Sequence, residues 1–188
     1  MKFHLVVAAA LMLAGCNGDK SGAAVNSAAP APAGAIQVSN SGFEQTAADG
    51  TIPGWTPMMH ADPSSFRIAI DAEGAHQGHA SLHITRVRNE PYGMIAQDIN
   101  AAAYTGKTLE LSAMSKTRDV GAKGWKLLLN GNAPGALIYS AALTGTQDWQ
   151  RQSVRLKLSP LVKKLTIGAI LLDAGEGWLD DVELKVVD

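Results

Sequence analysis

The chain of 188 residues contains a single cysteine, Cys16. One cysteine excludes a disulfide framework and a thiolate metal cluster. Aromatic residues are scarce, with four Trp, three Tyr and three Phe. Neither sign of charge dominates, since 16 Lys and Arg face 17 Asp and Glu. No basic surface for nucleic acid or for an anionic bilayer is expected from that balance. The most apolar run, residues 5–13, is shorter than the roughly 20 residues that span a bilayer. No long stretch has apolar residues at helical spacing. The motifs G-x-S-x-G and H-E-x-x-H are missing, and the carboxylates are scattered without a pair that flanks one bond. His76 and His79 stand in a glycine-containing loop, "AHQGHAS", not on a helix that would align them on a metal.

What is present begins at the N-terminus, "MKFHLVVAAALMLAGC". A lysine, an apolar run and small residues have the three-part layout of a secretory signal. The ending "LAGC" resembles a bacterial lipobox. That resemblance implies a signal peptide over 1–15, cleavage before Cys16, and acylation of the Cys16 thiol and amine. The alternative is an ordinary signal cut elsewhere, leaving a free thiol. Several acyl chains anchor a protein to a lipid bilayer far more firmly than one. Residue 17 is Asn, whereas an Asp there is the usual inner-membrane retention signal of Gram-negative lipoproteins; the expectation is a cell-envelope protein leaning to the outer membrane. Residues 16–35 continue in Ala, Gly, Ser, Asn and Pro and offer almost nothing to bury. They read as a flexible tether whose ends lie roughly 25 Å apart. The remaining residues, 36–188, form one domain by length. Without Lys2, Lys20 and Asp19 it carries 14 basic and 16 acidic residues.

Short segments alternating apolar and polar residues recur through the domain: "AIQVS", "FRIAID", "SLHITRV", "GMIAQDI", "KTLELSAMSK", "WKLLLN", "ALIYSAAL", "QRQSVRLKLS", "KLTIGAILLD" and "GWLDDVELKVVD". Gly, Pro, Asn and Asp separate them. About ten antiparallel strands in this length predict an all-β sandwich, with "AAAYTG" as a single helical turn.

The order "NSGFEQ", "PGW", "GHASLHI", "YGMIAQDINAAAYTGKTLELSAMSKT", "GTQDWQRQSVRLKL", "GEGWLDDVEL" resembles a carbohydrate-binding module of the galactose-binding-like jelly-roll class, over nearly all of 36–188. The resemblance implies a jelly-roll β-sandwich without catalysis of its own, and glycan as the partner. It also implies one structural calcium ion. The matching positions are Glu44 in "GFE", backbone carbonyls near Gly78 and His79, and Asp180 of the last strand. Strict alternation in "GWLDDVELKVVD" groups Asp180 with Trp178, Val182 and Leu184, and turns Asp181 outward. A bare buried carboxylate costs several kcal/mol, and a hard cation offsets that cost. Backbone amides or an arginine are the alternative partners for Asp180.

Trp55, Trp125 and Trp178 read as core, and Trp149 as a residue sealing the sandwich edge. Tyr92, Tyr139 and His60 remain as candidates near loops or on an open face. Alternation assigns Glu110, Ser112, Met114 and Lys116 to that face on one strand, then Lys126, Leu128 and Asn130 on the next, and Thr166, Ile170 and Leu172 on a third. Tyr92, Tyr139, Lys126, Asn130 and Glu110 are the ligand-binding candidates. Related modules often place Trp or Arg where this chain has Lys126 and Leu128, so its face is more aliphatic. Such a face suits a protein partner as well, which makes a structural or protein-interaction lipoprotein of the envelope the alternative. A third reading is a jelly-roll polysaccharide lyase using His83, Arg86 and Tyr139.

The anchoring expectation is checked by mass. The mature chain should carry a diacylglycerol-type adduct at Cys16 and partition with membranes, and Cys16→Ser should lose both properties.

Overall fold

The structure, a computed structural model, describes residues 34–188. The signal peptide, Cys16 and the tether up to residue 33 lie outside the described residues. Ten strands follow one another: β1 (Ala35–Ile36), β2 (Thr56–Met59), β3 (Phe66–Asp71), β4 (Ser81–Arg86), β5 (Gly93–Asn100), β6 (Thr108–Asn130), β7 (Leu137–Tyr139), β8 (Leu143–Lys157), β9 (Lys164–Leu171) and β10 (Glu176–Val186). Every pairing is antiparallel. The fold is a jelly roll, and its sheet curves nearly into a barrel. Two 3₁₀ turns interrupt it, Pro63–Ser65 and Ala102–Tyr104; the second is the single turn expected from "AAAYTG". Ala35 pairs with Lys185, so the fold already includes the last residue assigned to the tether.

The strand β6 belongs to both faces of the sandwich. Its first half pairs with β10 on one side and β8 on the other, as in Leu111 opposite Leu184 and Val154. Its second half pairs with β9 and β7, as in Leu129 opposite Ile167 and Ile138. One face therefore runs β3-β4-β10-β6-β8, with β1 added on β10; the other runs β2-β5-β9-β6-β7. Between the two halves the chain needs backbone freedom. Asp119 (φ 53°) and Gly124 (φ 81°) adopt left-handed conformations there.

Alternate residues of each strand fill one core: Leu82 and Ile84 of β4, Ile95 of β5, Leu109, Leu111 and Ala113 of β6, Leu165 and Ile167 of β9, Val182 and Leu184 of β10. Each buried Leu or Ile stabilises by about 1.5–3 kcal/mol relative to exposure. Trp125 is fully buried, and its indole N–H donates to Ser115 Oγ at 3.1 Å. Trp55 packs on Phe43, with ring centroids 5.1 Å apart.

Three sequence expectations need correction. "KTLELSAMSK" and "WKLLLN" are one continuous strand, because the polar, glycine-bearing segment between them stays paired to β8 through register shifts. The strand β2 was not foreseen, because it contains Pro57; as an edge strand it has no second neighbour that needs the missing N–H. Finally, alternation fails in β10. Its register shifts between Asp180 and Glu183, and Asp181 (φ 49°) makes the bulge. Leu179, Val182 and Leu184 face the core, while Trp178 points away from it. Trp178 instead stacks on His83 at 4.3 Å on the outer surface, flanked by Lys116 and Arg118. Trp149 is half-buried, edge-on to His76.

On that outer surface Glu110 ties three strands together. Its Oε1 accepts from Lys185 Nζ of β10 at 2.9 Å, and its Oε2 accepts from Arg155 Nε of β8 at 2.5 Å. Lys185 first and Arg155 second hold the Glu110 carboxyl below its usual range. The stabilisation is present above the unfolded-state pKa and is lost as pH falls through the depressed folded value. Acid titration of the melting temperature should therefore be shallower for Glu110→Gln than for wild type, with a lower plateau near neutral pH.

Candidate ligand groove and carboxylate cradle

The outer surface of the second face can be read row by row from its register. Met58, Met94, Ile170 and Lys126 lie side by side across β2, β5, β9 and β6. The next row is Thr56, Ala96, Gly168, Leu128 and Tyr139. A third is Asp98, Thr166, Asn130 and Leu137. Ala96 and Gly168 put almost no side chain on the middle row, and a groove of about 650 Å³ opens over this face. Leu128 and Ile170 are buried yet separate from the central core. They are buried by this surface, not by the sandwich interior.

The groove has two chemical halves. Met58, Met94 and Leu128 line an apolar part beside the edge of Trp55. Asp98, Thr166, Lys164, Asn130 and Asn132 line a polar part. Within it Asp98 accepts from Thr166 Oγ1 at 2.7 Å and from Lys164 Nζ at 3.0 Å. The Thr166 hydroxyl first and Lys164 second hold the Asp98 carboxyl below its usual range. It is a charged acceptor at neutral pH.

The structure brings three of the five ligand-binding candidates to this face. Asn130 lines the groove, and Lys126 and Tyr139 continue its surface, with Lys126 Nζ 5.7 Å from the Tyr139 ring centroid. Tyr92 directly precedes β5 and meets His60 edge-on at 5.9 Å. Glu110 is on the opposite face, engaged by Lys185 and Arg155. The sketch of a single open face is corrected accordingly: Glu110, Ser112, Met114 and Lys116 belong to the first face, because β6 changes sheets between Lys116 and Lys126. Met58, Asp98, Asn132 and Lys164 were not singled out from sequence. Period-two reading of "GMIAQDI" would have found Asp98 with Met94, because Ile95, Gln97 and Ile99 face inward.

The second feature is a carboxylate cradle on the loop between β3 and β4. Asp180 has no exposed surface. Its Oδ2 accepts from the backbone N–H of His76 at 2.9 Å and Gln77 at 3.1 Å, and its Oδ1 from that of Asp181 at 2.7 Å. Burial pushes its carboxyl up, against the pull of these amides. Glu44 Oε1 accepts from the N–H of His79 at 2.9 Å and Ala80 at 3.3 Å. Gly78 is left-handed (φ 68°), and a Cβ there would collide with the Glu44 carboxylate. Gly42 lies between the two acids: a Cβ on it would sit 3.7 Å from Asp180 Oδ1 and 3.9 Å from Glu44 Cγ. Asp181 is half-buried and bonds to His76 Nδ1 at 2.6 Å. The four residues expected at a metal thus converge on one loop. Among the described residues no cluster of three or more His, Cys, Asp or Glu side chains forms a metal site. Any ion here would need backbone carbonyls beside the two acids.

The residues of the lyase reading are not assembled. His83 stacks on Trp178 and bonds to Glu176 at 2.7 Å on the first face. Arg86 bonds to Asn89 and, at 3.5 Å, to Asp173. Tyr139 lies on the second face.

No protein-family model matches the chain. It is 28% identical over 154 residues to the uncharacterized HTH-type transcriptional regulator YbfP of Bacillus subtilis (strain 168), covering 77% of this chain and 52% of that protein. The chain thus spans about half the length of the curated relative it matches. Solved structures share the jelly-roll fold. The CBM22-1 xylan-binding domain of Xyn10C from Paenibacillus barcinonensis superposes with a TM-score of 0.57 at 21% identity, over 78% of this chain and 92% of that one. TmCBM61 in complex with β-1,4-galactotriose gives 0.55 at 16% identity, over 79% and 97%. The enzymatically active domain of tailspike protein 4 from Bacteriophage CBA120 gives 0.63 at 13% identity, over 80% of this chain and 21% of that one.

Proposed function

We propose that this chain is a glycan-binding module without catalysis of its own, held at the cell envelope by lipid on Cys16. The observation that carries the reading is the groove on the second face. Its apolar half suits the C–H faces of sugar rings. Its polar half offers fixed donors and acceptors for hydroxyls: the Asn130 and Asn132 amides, Thr166, and the Asp98–Lys164 pair. Modules of the same fold bind xylan or galactotriose, which supports a glycan ligand. A protein-interaction role is the second reading. It is favoured by Leu137, Ile138 and Tyr139, which are exposed together on the short edge strand β7.

We also propose a structural calcium ion at the cradle, held by Glu44, Asp180 and carbonyls near Gly78 and His79. Support comes from the convergence of two hard-oxygen carboxylates on one glycine-shaped loop. The ion would supply positive charge where burial now raises the cost of ionising Asp180. A hundredfold excess of calcium over its dissociation constant should stabilise the fold by about 2.7 kcal/mol. The melting temperature should then fall by several degrees in chelator, at about 2–4 °C per kcal/mol. Asp180→Asn should abolish that response, Asp181→Asn should keep it, and magnesium should substitute poorly. Equal calcium responses in the two variants would remove Asp180 from the site.

The glycan reading is tested by screening the full chain on a glycan array and measuring hits by calorimetry. Asn130→Ala and Asp98→Ala should each weaken a genuine groove ligand about five- to tenfold, the worth of about one hydrogen bond, with melting still cooperative and lowered slightly in Asp98→Ala by loss of its contacts to Thr166 and Lys164. Full affinity in both variants would place the ligand elsewhere.

A further inference from the structure

The groove face carries three charged side chains with unequal roles. Lys164 is paired to Asp98 at 3.0 Å. Lys126 pairs with no carboxylate of the described residues. Its ammonium lies instead 5.7 Å from the centroid of the Tyr139 ring. Tyr139 is 40% exposed. A cation held near an aromatic face is positioned without being neutralised. Leu128 shares a row with Tyr139, and Lys126 is two residues from Leu128 on the same strand. That spacing is about 7 Å, comparable to the breadth of one pyranose ring. Covering Lys126 with a neutral ligand would strip water from an uncompensated charge. Covering it with a carboxylate would turn that cost into a charge-assisted hydrogen bond.

We propose that the groove selects acidic glycans: a hexuronate ring rests over Leu128 and Tyr139, and its carboxylate pairs with the Lys126 ammonium. This rests on the glycan reading of the groove and adds the ligand's charge to it. The domain as a whole leans acidic, with 14 basic and 16 acidic residues from 36 to 188. Attraction of an acidic glycan therefore has to come from the local charge on this face, where Lys126 and Lys164 outnumber Asp98.

The test uses the full chain at fixed calcium. Oligosaccharides of galacturonate, mannuronate and guluronate are each titrated beside their carboxyl-reduced counterparts, which keep the linkage and lose the charge. At least one acidic oligosaccharide should bind roughly ten- to hundredfold tighter than its reduced form, the worth of a charge-assisted hydrogen bond. Lys126→Gln should remove that difference by weakening the acidic form, and Lys126→Arg should keep it. Lys116→Gln, on the opposite face, should change nothing, which excludes a general charge effect. Equal binding of acidic and reduced forms overturns the proposal while the glycan reading stands. Acidic preference that survives in Lys126→Gln overturns the role of Lys126. Binding of no sugar on the array or in this panel overturns the proposal together with the reading it rests on.

Discussion

One strand belongs to both sheets, and the remaining architecture follows from that. The 23 residues of β6 pair with β10 and β8 along one half and with β9 and β7 along the other. Side chains of its first half that face inward, Leu109 to Ala113, pack in the same core as Leu127 and Leu129 of its second half. The crossing costs unusual backbone, at Asp119 and Gly124. In return it places two outward surfaces of different character on opposite sides. The first is closed by ion pairs among Glu110, Lys185 and Arg155 and by the Trp178–His83 stack. The second stays open and holds the groove.

The cradle shows a different logic. A buried aspartate on the outer side of a strand is normally forbidden by solvation. Asp180 survives because the loop between β3 and β4 folds over it and aims two backbone N–H groups at one oxygen. The bulge at Asp181 is what makes this possible. It lets Asp180 face the loop while Val182 and Leu184 return to the core.

Much of the fold was legible in the residues. Alternation identified "SLHITRV", "KLTIGAILLD" and the first half of β6, since every second residue of each, such as Leu82 and Ile84, Leu165 and Ile167, and Leu109 and Leu111, faces the core. It failed where a residue breaks the count. The glycine-bearing stretch inside β6 looked like a turn because its pairing to β8 is carried by bulges, which leave no mark in composition. In β10 the expectation named the right aspartate as buried, but for the wrong reason: Asp180 shares no face with Val182. A left-handed Asp is sterically tolerated and needs no glycine to announce it. The groove was half-legible. Lys126, Asn130 and Tyr139 belong to strands whose parity could be read. Met58 comes from a proline-containing edge strand that could not. Glu110 was misplaced because parity reports inside or outside, but not which of two outsides.

The two sides of each groove strand carry different burdens. Along β5 the residues facing inward, Ile95 and Ile99, are locked into the core. Their neighbours Met94 and Asp98 face the groove, where Asp98 makes only surface contacts, to Thr166 and Lys164 of the adjacent strand. Changes at inward positions cost several kcal/mol, whereas changes at unencumbered surface positions usually stay within about ±0.5 kcal/mol. Over evolutionary time the two sets can therefore drift at very different speeds. The exposed part of the groove's lining can be rewritten one residue at a time while the scaffold, including Gly168 beneath it, is inherited intact. Descendants of such a scaffold can diverge in ligand long before they diverge in shape.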